Sequence, residues 1–433
     1  MPPIRIEIER VQDDRASGRP LMRDHNLTAR LWAMAALVSV PLRSLAGLGW
    51  WLPVHLAMIG AASQAIVGGQ LMFTATLGSA RGPSRQTALQ QLALLNLGGA
   101  LVIGGRLFGV RTVLALGATV ITVTISWAAW EVRRMWRRSI GRRFAVTGTF
   151  YSLAALCILA GASIGLAMGT GAFKDPASYL AHRDAHMALN VLGWAGLSIV
   201  GTAITLLPTI MHVRAPRSSS VRATPWLMFT GLVVFTVGKT TDHDATATLG
   251  MATYAGGIAI FGFYLSKILA TTRRRKVPTA ALHLVAALTW LVVTTLALGV
   301  LAGAEDRSAM RDFIVVGGVA GFVFQALLGA WSFLLPSERG PVPDRRRREL
   351  TAMEIGGRSQ SVLYNLGLIA ALFGLRAGMD KSAIAGIVLA WGASAWALLK
   401  TWTFPLLATL PTVRARSEQW WSPSHDRDAK AEA

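Results

Sequence analysis

Cysteine is nearly absent from this 433-residue chain: Cys157 stands alone. A single thiol excludes an internal disulfide, and with it go the Cys-x-x-Cys pattern of a zinc site and the Cys-x-x-Cys-His of covalent haem attachment. There is no Walker phosphate loop, no His-Glu-x-x-His and no convincing serine or cysteine triad, so hydrolysis and ATP-driven transport have no visible machinery. Glycine pairs such as Gly98-Gly99 and Gly104-Gly105 lie within or at the end of an apolar span and match a phosphate cradle poorly. Charge is scarce too, at 15% of residues, and unequal in sign, with 43 Lys and Arg against 22 Asp and Glu. What remains is apolar: 53% of the chain is hydrophobic, in runs that repeatedly reach the roughly 20 residues needed to cross a bilayer. The formal net charge of +21 sits in short bursts between these runs, where membrane orientation accounts for it. The lipid bilayer is therefore the expected partner and nucleic acid is not.

Three apolar segments repeat one another. Each carries two glycines eight apart: Gly60 and Gly68, Gly193 and Gly201, Gly321 and Gly329. The second and third copies continue to Leu207-Pro208 and Leu335-Pro336. Successive copies lie about 130 residues apart, a period that suits a helix bundle built from three equivalent blocks. Small residues at such spacing let helices approach closely in lipid, where apolar burial supplies little drive.

A hydropathy walk predicts an all-α polytopic membrane protein of twelve spans, starting near Ala29, Trp51, Thr87, Val110, Phe144, Asp184, Thr224, Ala245, Pro278, Asp312, Gln360 and Ser382. The first is interrupted by Pro41 and Arg43, and the seventh is short, ending near Lys239. Basic clusters at Arg133 to Arg143, Arg273 to Lys276 and Arg345 to Arg348 all follow even-numbered spans, so the positive-inside rule puts both termini in the cytoplasm of an inner (plasma) membrane protein. The implied layout is a cytoplasmic tail over 1–28, a transmembrane domain over 29–411 in blocks of about 29–143, 144–277 and 278–411, and a second cytoplasmic tail over 412–433. The repeats then fall on the second, sixth and tenth spans, with parallel topology.

Of eight histidines, His25 and His425 read as tail residues, while His212 and His283 sit at cytoplasmic ends of spans. His55, His182, His186 and His243 map to the outer side. His182 and His186 are four apart and share a helical face if the sixth helix starts early enough, so His182, His186 and His243 are candidate metal ligands. Asp242, Asp244, Glu305, Asp306 and Asp312 lie on the same side and offer oxygen ligands or a cation site. His55 and His186 fall near the outer starts of repeat helices among apolar residues, where an ionisable group is costly and faces a partner or a cavity. They are the candidate cofactor-binding pair. Gln64, Gln70, Asn96, Asn190, Gln325 and Asn365 lie within spans and read as bridges between helices.

Twelve helices in three blocks of four, with histidines on the second and sixth, resemble subunit I of the haem-copper oxidases. The local sequence looks closer to the membrane region of actinobacterial copper oxidase and copper-containing nitrite reductase-like proteins. The likeness is carried by Trp51-Leu52-Pro53-Val54-His55-Leu56, by Ala185-His186 through Gly193-Trp194 to Leu207-Pro208-Thr209, by Gln325 through Gly329 to Pro336, and by Tyr364-Asn365-Leu366-Gly367-Leu368. It implies haem or copper as cofactor, held by His55 and His186, and electron transfer to, or docking of, a separate extracytoplasmic copper redox protein. The chain also departs from the oxidase pattern. The tenth span has no histidine, with Phe313 and Val316 in that region, and the seventh has none between Pro225 and Gly238. The second helix has Gln70 to Phe73 where relatives carry a deeper histidine, and no blue-copper ligands follow Pro411. A complete oxygen-reducing centre is not expected. Two other readings stay open: a transporter or permease with an outer His and Asp entry site, and a structural subunit whose ligands are lost.

Overall fold

The computed structural model describes residues 19–42, 47, 49–139, 145–216, 218–271, 277–304, 307–339 and 342–420. Among them every regular element is helical. In chain order these are α1 (Arg19–Leu42), α2 (Trp51–Gly78), α3 (Arg85–Leu107), α4 (Arg111–Arg138), α5 (Ala145–Thr170), α6 (Pro176–Ile210), α7 (Thr224–Thr240), α8 (Asp244–Thr271), α9 (Thr279–Val300), α10 (Ser308–Glu338), the short α11 (Pro343–Met353), α12 (Gly357–Ala377), α13 (Asp380–Leu407) and the short α14 (Pro411–Trp420). Ten of them, α2 to α10 and α13, are long and apolar enough to cross a membrane. Two expected spans are outside that set. Helix α1 carries Arg23, Asp24, His25, Asn26 and Arg30 in its first half, and α12 carries Arg358, Gln360, Asn365 and Arg376.

Local signals set the helix boundaries. Ser84 caps α3, its Oγ accepting from Thr87 N at 3.1 Å, and Asp175 caps α6 by accepting from Ser178 N at 2.7 Å, with Pro176 opening the helix. Helix α9 has a cap from far along the chain: the Glu354 carboxylate accepts from Thr279 N and Oγ1 at 2.8–3.0 Å. The turns joining α3 to α4, α7 to α8 and α12 to α13 share one design. A left-handed residue stands at Gly109, Asp242 and Gly378, and the next amide reaches back 2.8 Å to the carbonyl of Gly105, Gly238 and Gly374 respectively.

The glycines decide how the helices meet. Within those three hairpins, a Cβ on Gly117, Gly250 or Gly386 would lie within 2.6, 2.3 or 2.2 Å of a backbone nitrogen of the facing helix. The backbones touch where only glycine allows it. The repeat glycines instead receive side chains from the preceding helix: Gly60, Gly193 and Gly321 lie under Trp32, Cys157 and Trp290. Eight residues on, Gly68 and Gly201 lie under His25 and Phe150, while Gly329 meets Ala280 O at 2.9 Å and His283 Cβ at 3.1 Å.

Helices α2, α6 and α10 form the centre of the bundle. Their apolar stretches are 78, 89 and 78% buried, against 33–56% in the other seven membrane-length helices. Each contains a π-helical stretch, Leu56–Ala62, Leu189–Leu197 and Phe313–Phe324. A π turn widens the helix and disturbs the regular i to i−4 pairing, leaving carbonyls open to side-chain donors. In this bundle hydroxyls supply them: Ser63 Oγ donates to Met58 O, Tyr254 to Leu192 O and Tyr364 to Ala320 O, each at 2.9 Å.

Candidate functional site

His55 is the last residue before the π stretch of α2, and His186 lies three residues before that of α6. Their rings face one another with centroids 6.3 Å apart and planes within 15°. Each is held the same way. His55 Nδ1 donates to Trp51 O at 2.8 Å, with the Trp51 indole stacked on its ring at 4.1 Å. His186 Nδ1 donates to Gly161 O of α5, also at 2.8 Å. A carbonyl only accepts, so both Nδ1 atoms carry the proton and both Nε2 atoms present a lone pair.

Two glycines on α5 make the room for this arrangement. A Cβ at Gly165 would come within 2.6 Å of His186 Cε1, and one at Gly161 would meet Asn190 Nδ2 at the same distance. Asn190 is one turn further along α6 and donates to His186 O at 2.6 Å. Arg106, at the end of α3, lies 5.8 Å from the Trp51 ring centroid. It closes a stack running from a guanidinium through an indole to an imidazole.

The other candidate ligands are held elsewhere. Helix α6 starts at Pro176, eight residues before the expected Asp184, so His182 and His186 do lie in one helix. Yet His182 stacks on Phe173 at 3.8 Å and donates to Ser178 O, while His186 turns to α5. His243 is exposed in the α7–α8 turn and donates to Thr241 O at 2.7 Å. Among the described residues no three His, Cys, Asp or Glu side chains converge on a metal position. His182, His186 and His243 therefore do not assemble as one set, because each imidazole is oriented by a different carbonyl. The acids take cations instead: Asp184 pairs with Arg183 at 2.8 Å, Asp312 with Arg311 and Arg376, and Asp244 with Lys239, whose Nζ also donates to Ala302 O. Glu305, Asp306 and His425 lie outside the described residues.

His25 is not a tail residue. Helix α1 begins ten residues before the expected Ala29, and His25 is buried with Nδ1 donating to Gln64 Oε1 at 2.8 Å. Its neighbour Asn26 accepts from Trp331 Nε1 and donates to Glu338, joining α1 to α10. Other polar residues within the helices act as bridges: Asn96 accepts from Trp32 and Asn365 from Trp290, at 2.7 and 2.8 Å, and Gln70 donates to Ser198 at 3.0 Å. The buried Gln325 has no such partner among the described residues. The polar first half of α1 hid His25 and Asn26 from a hydropathy reading. The spacing His25 to Trp32, matched by His283 to Trp290, is the signal that could have found them.

Two neighbouring imidazoles, each with Nδ1 on a carbonyl and a lone pair on Nε2, are of the residue type that binds a transition-metal ion or the iron of a haem. No protein-family model and no curated protein sequence matches this chain.

Proposed function

We propose that this chain is a multi-pass inner-membrane protein on a haem-copper-oxidase-like scaffold, in which His55 and His186 hold one copper ion or haem iron near the outer face. One observation carries the reading. Both imidazoles spend Nδ1 on a backbone carbonyl and turn Nε2 free, the orienting arrangement that ligating histidines use. The spacing fits as well. The two ring centres stand 6.3 Å apart, so His55 and His186 are near enough to serve one site.

Trp51 and Gly161 fix the tautomer and the ring planes, and Gly165 leaves His186 its place. A metal held there would supply one-electron chemistry. Both imidazoles are half-buried. Electrons would pass to or from a separate extracytoplasmic copper redox protein, the partner that the resemblance implies.

The scaffold reading adds α1 and α12 to the ten membrane-length helices, giving twelve spans in three blocks: α1 to α4, α5 to α8, and α9, α10, α12 and α13. Matching glycine contacts in all three hairpins support it, as does the tight turn that ties the more polar α12 to α13. Both termini are cytoplasmic in this reading, on the arginine-rich side.

Purified protein is expected to show a Soret band if haem is bound, or about one copper per chain by metal analysis if copper is. His55→Ala and His186→Ala should each abolish that signal while the protein still inserts in the membrane. Wild-type protein expressed with haem and copper supplied, and found to hold neither, refutes the proposal.

A further inference from the structure

A cavity of about 70 Å³ lies between α2, α6 and α10. Counted from the repeat glycines, the three helices contribute matching positions to its wall. Gly69, Thr202 and Ala330 form one triplet, each one residue after the second glycine, and Gln70, Ala203 and Trp331 form the next. The cavity is therefore enclosed by all three repeats at one level, and it is separate from the His55 and His186 pair.

Its wall is mostly apolar with a few fixed polar groups. Gln70, 5% exposed, donates through Nε2 to Ser198 Oγ at 3.0 Å. That leaves Oε1 with no hydrogen bond to any described residue, on a side chain that lines the void. Turning the carboxamide exchanges the two atoms and still leaves one unpaired. Ser198 Oγ accepts from Gln70 and keeps its own proton to give. The cavity thus offers an acceptor and a donor side by side and no ionisable side chain in its wall. A ligand that both donates and accepts would pair with these two groups, a hydrogen bond each.

We infer that this cavity is a hydration site holding a short chain of water bound to Gln70 Oε1 and Ser198 Oγ. The volume suits a few molecules, since one water occupies about 30 Å³ of liquid. Asn26 closes the site toward the arginine-rich end. It lines the cavity, accepts from Trp331 Nε1 at 3.0 Å and donates to Glu338, the last residue of α10. Two turns from Gln70 in the other direction, the buried Trp194 donates to Ser63 at 3.0 Å, and the polar path ends on a packed indole.

Hydroxyl-radical footprinting by brief X-ray irradiation, read by mass spectrometry, tests this on the full-length protein in nanodiscs. Radicals formed from bound water label adjacent side chains however deeply they are buried. Trp331 and Phe73, at 1 and 9% exposure on the cavity wall, should label about tenfold faster than the dry references of the same residue types, Trp194 and Phe150, at 1 and 0%. Ala203→Leu, which fills the cavity, should reduce labelling of Trp331 and Phe73 to the reference rate. Equal labelling of wall and reference residues in the wild-type protein overturns the inference whether or not the variant folds. Unchanged labelling in a folded Ala203→Leu protein overturns it as well.

Discussion

Helix α8 carries two glycines whose replacement should have opposite effects. At Gly250 an added Cβ would lie 2.3 Å from Phe235 N and 2.7 Å from both Phe235 Cα and Gly231 O, all backbone atoms of α7. No rotamer change can relieve contacts with backbone. Reaching an ordinary separation of about 3.5 Å needs roughly 1 Å of movement between the helices, which loosens the contacts along their crossing. Overpacking of this kind costs about 1–3 kcal/mol, and the rigid neighbours place it at the upper end. At Gly256, six residues on, nothing lies within 4 Å, and alanine gains up to about 1 kcal/mol of helix propensity. Gly250→Ala and Gly256→Ala should therefore differ by about 2–4 kcal/mol in reversible unfolding from mixed micelles, with Gly250→Ala the less stable. Gly231 faces the same crossing, with Tyr254 N at 2.5 Å and Gly250 O at 2.6 Å from its Cβ position. Its alanine variant should cost less in a Gly250→Ala background than alone, because the helices are already apart. Equal stability of Gly250→Ala and Gly256→Ala would refute the backbone-contact account.

Other consequences can be checked with the same protein. Trp290→Phe keeps the ring over Gly321 but removes the donor to Asn365, and should cost about 1–3 kcal/mol in the same unfolding assay. Trp32→Phe should match it, since Asn96 loses the equivalent bond. Tyr254→Phe leaves Leu192 O without its hydroxyl partner, and hydrogen exchange in 189–197 should accelerate more than in 56–62. Burial holds the Glu349 carboxyl above its ordinary range, against the opposing pull of Arg339, Arg345 and Arg348. The folded state then binds this proton more tightly than the unfolded one. Its contribution to stability falls as pH rises from the ordinary carboxylate range through the raised one. Glu349→Gln should flatten that part of the unfolding midpoint against pH; an unchanged slope would assign it to other groups.

Hydropathy and glycine spacing made much of the helical layout legible, because both report on burial in an apolar medium. Most helix starts fall within three residues of expectation, but α6 and α1 begin eight and ten residues early. Both extensions are polar. The Pro176 to Arg183 turn and the Arg23 to Arg30 segment are stabilised by capping and by specific hydrogen bonds, which a sliding average does not register. The π stretches left no trace for the same reason: they differ from α-helix in hydrogen-bond pairing, not in composition. At the site, the apolar surroundings singled out His55 and His186 correctly as helix-embedded residues. What sequence could not supply was direction. Spacing of four put His182 and His186 on one face, but Phe173 and Gly161, distant in the chain from one or both, decide where each ring points.

The tyrosines that bond to the π stretches bear on how the helices can move. Small-residue contacts recur every seven residues along the hairpins, at Gly98 and Gly105, Gly231 and Gly238, Gly367 and Gly374. A surface with that period would accept a slide of one full repeat, since the same shapes meet again. The tight turn joining each pair forbids it within a hairpin, and Tyr254 and Tyr364 fix the hairpins against α6 and α10. Each reaches a single carbonyl, Leu192 O or Ala320 O, that the π turn has exposed, and a displaced helix would present its hydroxyl to a carbonyl already engaged. The bundle therefore behaves less like a set of pistons than like a lock with two pins: its helices can tilt and separate, but their registers are discrete.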